Sequence, residues 1–128
     1  MSITAILVAA VVYFAIGPAW YGPLGNTWMK EAGLKPNDID RKNPRPYLIA
    51  GFTSLLSAIG LAYVMSLLQP EHAGGGIGIA LSFWALFSSA TLAKHYAFGR
   101  KSSRLFWIDS GYDAVSYAAM GAILYLMS

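Results

Sequence analysis

Four long stretches of mostly apolar residues make up most of this chain and constrain its fold more than any other feature. The first, residues 3–21, contains no charged residue, and the others are residues 47–68, 77–97 and 105–127. A helix that crosses the hydrocarbon of a bilayer needs about 20 such residues. We therefore predict an all-α membrane protein, a bundle of four transmembrane helices that forms a single membrane domain over residues 1–128.

The composition agrees with this interpretation. Only 12% of the residues are charged and the mean hydropathy is +0.50, whereas a soluble domain carries about 25% charged residues. The chain has no cysteine, which excludes disulfides and thiolate chemistry. A cleaved signal peptide is the alternative for the first stretch, but no Lys or Arg precedes it and no clear cleavage site follows it.

The longest predicted connection, residues 22–46, lies between spans one and two. It contains a predicted short interfacial helix that carries Trp28 and Lys30 and ends at Gly33. Aromatic and basic residues suit the headgroup layer of a membrane. The predicted interface anchors are Trp20, Tyr21 and Trp28. The glycine-rich residues 74–78 are interpreted as a flexible connection into span three.

Basic residues occur in the first and third connections, and the second connection has none. Because Lys and Arg are retained in cytoplasmic loops, both termini should lie outside the cytoplasm in an inner (plasma) membrane. The residues that we expect to meet anionic lipid headgroups are Arg41, Lys42, Arg45, Arg100, Lys101 and Arg104. The excess of nine basic over six acidic residues is too small and too dispersed to indicate nucleic-acid binding.

Small residues recur at intervals of four along three spans, a pattern that permits close approach of helices in lipid. These stripes are Ser54, Ala58 and Ala62 on span two, Ala85, Ser89 and Ala93 on span three, and Ala114, Ala118 and Ala122 on span four. Packing within one bundle and a homo-oligomer interface have the same signature, so the sequence leaves both open.

Span four carries a polar stripe that includes Asp109, Asp113 and Tyr117 at helical spacing. An aspartate at the centre of an inserted helix costs about 2.5–3.5 kcal/mol, so these side chains should face the bundle interior. Lys94 and His95 end span three at a similar depth, and we predict a Lys94–Asp109 ion pair. Asp113 has no basic residue at its level; it is expected to be protonated, hydrated or hydrogen-bonded. The partners considered for it are Tyr112, Tyr117, Ser88, Ser89 and Thr91.

His95 beside two carboxylates also suits zinc, manganese or iron, but Lys94 already supplies positive charge there. We therefore predict no metal and no cofactor. Haem is excluded because His72 and His95 belong to opposite ends of the bundle. No catalytic residue is assigned: a lipid-modifying enzyme needs a nucleophile and a base, and only His95 with Asp109 comes near that. The sequence favours a non-enzymatic role and leaves the question open.

Residues 17–24, Gly-Pro-Ala-Trp-Tyr-Gly-Pro-Leu, are followed by a Trp-Met pair and a glycine, and span four opens with Ile-Asp-Ser-Gly-Tyr at residues 108–112. Together these motifs resemble the bacterial membrane family called domain of unknown function 1761 over essentially the whole chain. The resemblance implies a four-span membrane protein and no particular activity. Residues 94–96, Lys-His-Tyr, depart from the neutral or amide residues expected in relatives.

Two hypotheses of function follow. The first is an accessory or structural membrane protein of unassigned activity that binds lipid or a protein partner, whose identity the sequence does not disclose. The second is a small oligomeric, proton-linked transporter or channel that uses the aspartates of span four. For the Trp-Tyr-x-Pro segment, anchoring at the interface and a hydrated entrance at a broken helix end are both open.

Overall fold

Four helices make up the computed structural model, which describes residues 2–128. They are α1 (Ile3–Ala32), α2 (Arg45–Leu68), α3 (Ala73–Phe98) and α4 (Ser103–Leu126). A turn of 3₁₀-helix, Pro36–Asp38, lies between α1 and α2, and residues 2–128 form no strand. The all-helical part of the predicted fold class is confirmed.

Helix α1 continues through both of its prolines. Its N-terminus is capped by Ser2, whose Oγ accepts the Ala5 N–H at 3.2 Å, and its C-terminus by Gly33 at φ +74°. Each proline removes one N–H and disturbs the carbonyl four residues earlier, which leaves most of the hydrogen-bond ladder intact. The predicted break after Tyr21 is therefore wrong, and the predicted interfacial helix is the last part of α1.

Helix α3 begins at Ala73, and the glycine-rich residues 74–78 form its first turns rather than a flexible connection. The His72 ring caps this end, since its Nδ1 accepts the Gly75 N–H at 3.0 Å. Near its middle, residues Trp84–Ser89 form a π-helical turn. Such turns widen the helix locally and are frequent at functional sites.

Helix α4 is the centre of the bundle. It packs along α1 and α3, and α2 packs mainly on α1, so α2 and α3 make little contact with each other. Small residues allow the close contacts: Ala9 of α1 and Ala58 and Ala62 of α2 belong to one buried cluster, in which they pack with the larger Met120 of α4. The small-residue stripe of α2 is thus used inside the chain, whereas Ala85 and Ala93 of the α3 stripe are exposed.

Three of the four helices, α1, α2 and α3, are long and apolar enough to cross a membrane. Helix α4 has the length but is not among them; it carries Arg104, Asp109 and Asp113. A span at α4 therefore stays a prediction. Large apolar side chains on the outer faces of α1 and α2, such as Leu7 and Phe52, are exposed, as expected of a surface that faces lipid.

The first and third connections meet at the same end of the bundle, which we call the basic end. Ser102 Oγ donates to Glu31 Oε2 at 2.7 Å, and Arg104 lies 3.5 Å from the other oxygen of that carboxylate. The six residues predicted to meet headgroups are all exposed there: Arg41, Lys42, Arg45, Arg100, Lys101 and Arg104.

Candidate functional site

The carboxylate of Asp109 is held by three aromatic side chains. Tyr21 donates to Oδ1 at 2.5 Å, Trp28 Nε1 donates to the same oxygen at 3.0 Å, and Tyr96 donates to Oδ2. Two of these donors come from α1 and one from α3, so a single half-buried side chain of α4 joins three helices. Hydrogen bonds to an ionised group are roughly twice as strong as neutral ones.

The predicted Lys94–Asp109 ion pair is wrong. Lys94 is exposed, and the one ion pair formed within residues 2–128 joins Arg104 and Glu31. The reason is rotation: Lys94 and Tyr96 are two residues apart, or about 200° around the helix. Since Tyr96 points at Asp109, Lys94 points away from it.

Asp113 has a different partner from those expected. Tyr13 of α1 donates to its Oδ1 at 2.5 Å, and Tyr112 donates to the Tyr13 carbonyl at 2.8 Å. Sequence reasoning missed Tyr13 because only neighbours on α3 and α4 were considered. A signal was present: Tyr13 and Thr4 are the only hydrogen-bonding side chains in residues 3–16.

Backbone carbonyls of the same α4 segment also accept bonds from indole groups. Trp20 Nε1 donates to the Ile108 carbonyl at 2.9 Å, and Trp84 Nε1 donates to the Ser110 carbonyl at 2.8 Å. The Trp20 ring packs on Gly111, where a Cβ would lie 3.1 Å from the indole. The predicted interface anchors Trp20, Tyr21 and Trp28 therefore all turn their polar atoms toward α4.

A cleft lies where α2 and α3 diverge, and α4 forms its floor. Its volume is about 690 Å³, within the range of about 300–1,000 Å³ typical of small-molecule sites. Most of the lining is apolar or aromatic. The lining residues that carry a polar group are Ser57, Tyr63, Ser88, Thr91, His95, Asp113 and Tyr117.

The cleft divides the predicted polar cluster into separate parts. His95, Asp113 and Tyr117 line it, whereas Lys94 and Asp109 do not. Asp109 has its carboxylate occupied by the three aromatic donors, and Asp113 is the carboxylate that borders open space. This division differs from the predicted single Lys/His/Asp cluster. Asp109 and Asp113 lie one turn apart on α4, but each has different surroundings.

The described part of the chain contains no group of three or more His, Cys, Asp and Glu side chains placed to share a metal ion. The chemistry available in the cleft is that of a carboxylate, an imidazole, hydroxyl groups and aromatic rings. Such groups can bind a polar or charged head on an apolar body. No nucleophile–base pair is formed among the cleft residues by the hydrogen bonds of the structure.

The fold and site define a class: a small helical bundle with membrane-like helices, whose fourth helix carries two aspartates bonded by aromatic residues. Residues 4–125 match the model of the family described as Protein of unknown function (DUF1761), and the chain belongs to that family. No curated protein and no solved structure matches it. The resemblance seen in the sequence is confirmed, and its two motifs are the segments that bond to each other, Trp20 and Tyr21 to residues 108–109.

Proposed function

We propose that this protein binds a small hydrophobic molecule, taken from the lipid bilayer, in the cleft between α2 and α3. The observation that carries the proposal is the cleft itself, an opening of about 690 Å³ with a carboxylate in its floor. The walls of the cleft come from α2 and α3, which make little contact with each other, and its volume suits a small molecule.

The exposed lining residues support entry from the side, from the lipid phase. Tyr63 of α2 is 58% exposed and Phe87 of α3 is 61% exposed, and both line the cleft. Phe87 lies near the middle of α3, about 17 Å from the basic end at a rise of about 1.5 Å per residue. That depth corresponds to hydrocarbon and is far from either aqueous end.

The π-helical turn of α3 contributes to the shape of the cleft. Phe87 and Ser88 both belong to this turn and both line the cleft. The neighbouring Ser89 bonds to Ser110 of α4, with Oγ atoms 3.1 Å apart. The turn is therefore attached to α4 through Ser89, while Phe87 and Ser88 of the same turn face the cleft.

The cleft can be tested with an alkyl diazirine photoprobe in nanodiscs, followed by mass spectrometry of the labelled peptides. We expect labelling to concentrate on the lining residues, and Gly60→Trp to abolish it, because Gly60 lines the cleft and has free space at its Cβ position. Gly51→Trp is the matched control on the same helix, with equal free space. Uniform labelling of all outer faces, unchanged in Gly60→Trp, would refute the proposal.

A second candidate is proton-linked transport by an oligomer, and the contrast between the aspartates favours one residue for it. Asp113 borders the cleft, while Asp109 is held by Tyr21, Trp28 and Tyr96. Transport would thus depend on Asp113. If proton flux into proteoliposomes stops in Asp113→Asn, this candidate is supported. Proton flux that is unchanged in that variant would exclude it.

We further propose a four-span topology in the plasma membrane, with the basic end in the cytoplasm and both termini outside. Support comes from the charge distribution, since the exposed basic residues of the first and third connections share one end. The two aspartates of α4 turn to partners on α1 and α3, which removes the main obstacle to burying α4. Anionic headgroups would meet the basic end at about 1 kcal/mol for each Lys or Arg.

A further inference from the structure

We propose that the occupant of the cleft is a hydrophobic amine, bound through its protonated nitrogen to the Asp113 carboxylate. This inference rests on the proposed function, because it names the class of molecule that the same cleft takes. Three features of the site support it: an oxygen atom left free, a carboxyl group without a cationic partner, and aromatic walls.

The free oxygen is Oδ2 of Asp113. Within residues 2–128 the only donor to this carboxylate is Tyr13, and it donates to Oδ1. Oδ2 is not sealed in the protein, since Ser116 Oγ is the sole fully buried side-chain nitrogen or oxygen atom of that range that lacks a hydrogen-bond partner. Because Asp113 also lines the cleft, Oδ2 can accept a hydrogen bond from a molecule there.

The lack of a counter-ion follows from the ionisable residues on each helix that packs around Asp113. The ionisable neighbours are Tyr13 of α1, Tyr63 of α2, His95 of α3, and Asp109, Tyr112 and Tyr117 of α4. Of these only His95 can become a cation, and it lies about 10 Å closer to the basic end, from a rise of about 1.5 Å per residue. No ion pair to Asp113 is formed in the part of the chain that the structure describes.

The walls complete a site for a cation on an apolar body. Tyr63, Phe83, Phe87 and Tyr117 line the cleft, and the rings of Phe83 and Phe87 stack with centroids 5.2 Å apart. Aromatic faces attract cations, more strongly when water is excluded. A fatty acid would place a second negative charge beside Asp113, and such like-charge contacts select against a ligand.

The test compares three probes that share a twelve-carbon chain: dodecylamine, dodecanol and dodecanoate. Each competes with the diazirine photoprobe for the cleft of the intact protein in nanodiscs of zwitterionic lipid. For the wild type we expect dodecylamine to displace the photoprobe at a concentration about tenfold or more below dodecanol, with dodecanoate the weakest.

Two variants assign the selectivity to the carboxylate. In Asp113→Asn the advantage of the amine over the alcohol should disappear while the alcohol still competes. Asp40→Asn, an exposed loop variant with the same change in net charge, should leave the advantage unchanged. If Asp113→Asn does not fold, the order of the three probes on the wild type decides the matter alone.

The failures are distinguishable. If none of the three probes displaces the photoprobe, the cleft is not a binding site and the proposed function fails together with this inference. If all three compete equally, or if Asp113→Asn keeps the preference for the amine, the cleft binds apolar molecules and only the assignment of a hydrophobic amine is overturned.

Discussion

Gly76 of α3 and Gly121 of α4 touch backbone to backbone. A Cβ on Gly121 would lie 2.5 Å from the Gly76 carbonyl oxygen, and one on Gly76 would lie 2.8 Å from the Gly121 oxygen. Both residues are buried at the end of the bundle opposite the basic end. The two helices are therefore closer at this point than any side chain permits.

The first prediction concerns this contact. Gly121→Ala should lower the free energy of unfolding by about 1–3 kcal/mol, the usual cost of overpacking, because the new methyl group meets a backbone oxygen that cannot rotate away. Thermal unfolding in detergent, followed by far-UV circular dichroism, measures the loss. Gly76→Ala should behave in the same way.

Gly78→Ala provides the control on α3, the helix that also carries Gly76. Apart from its chain neighbours and its own helix backbone, nothing in residues 2–128 lies within 4 Å of its Cβ position. Alanine is favoured over glycine in a helix by about 0.5–1 kcal/mol. This variant should be neutral or slightly stabilised. A loss equal to that of Gly121→Ala would show that the helix contact is not the cause.

The second prediction concerns the aromatic donors to Asp109. Tyr96→Phe removes one hydrogen bond to the carboxylate, and bonds to charged groups contribute about 1.5–3 kcal/mol; a loss of stability in that range is expected. Tyr47→Phe is the control, since Tyr47 is 55% exposed and its hydroxyl forms no hydrogen bond within residues 2–128. Equal thermal stability of the two variants would contradict the assigned role of Tyr96.

The third prediction tests the absence of the expected ion pair. Lys94→Ala should change stability by less than about 0.5 kcal/mol, as for most surface substitutions. In a double-mutant cycle with Asp109→Asn, the coupling energy should be close to zero, because Tyr96 rather than Lys94 contacts Asp109. A coupling energy above about 1 kcal/mol would show that Lys94 and Asp109 do form an ion pair.

The two aspartates of the candidate site could be singled out from the sequence, whereas most of their hydrogen-bond partners could not. Asp109 and Asp113 are conspicuous in an apolar helix, and the rule that buried charges find partners applies to both. The rule does not name the partner. A cation was the expected partner of Asp109, although Tyr and Trp side chains also donate hydrogen bonds. The rotation of α3 that places Tyr96 rather than Lys94 beside Asp109 depends on how the helix packs.

The ends of the helices were harder to predict from the sequence than the site. The first span was predicted to end at Tyr21, yet α1 continues through Pro18 and Pro23 to Ala32. Tyr21 and Trp28 bond to Asp109 and hold this part against α4. The glycines that suggested a flexible connection have the opposite role at Gly76, where the helices need a residue without a side chain. Both errors arise from tertiary contacts, which no local pattern contains.

The fourth prediction is the topology, and the chain suits the test because it has no native cysteine. Single cysteines at exposed positions 42, 72 and 128 are reacted with a membrane-impermeant maleimide in intact cells. We expect labelling at positions 72 and 128 but not at 42, which should react only after the membrane is permeabilised. Labels on opposite sides for 72 and 42 show that α2 crosses, because it connects the two.

Position 128 decides whether α4 crosses as well. A single cysteine at position 101, in the third connection, is the matched partner for it. If the pairing of Tyr13 with Asp113 and of the aromatic donors with Asp109 makes α4 compatible with the bilayer, positions 101 and 128 should label from opposite sides. Labelling of both from the same side would mean that α4 does not cross and would remove the four-span topology.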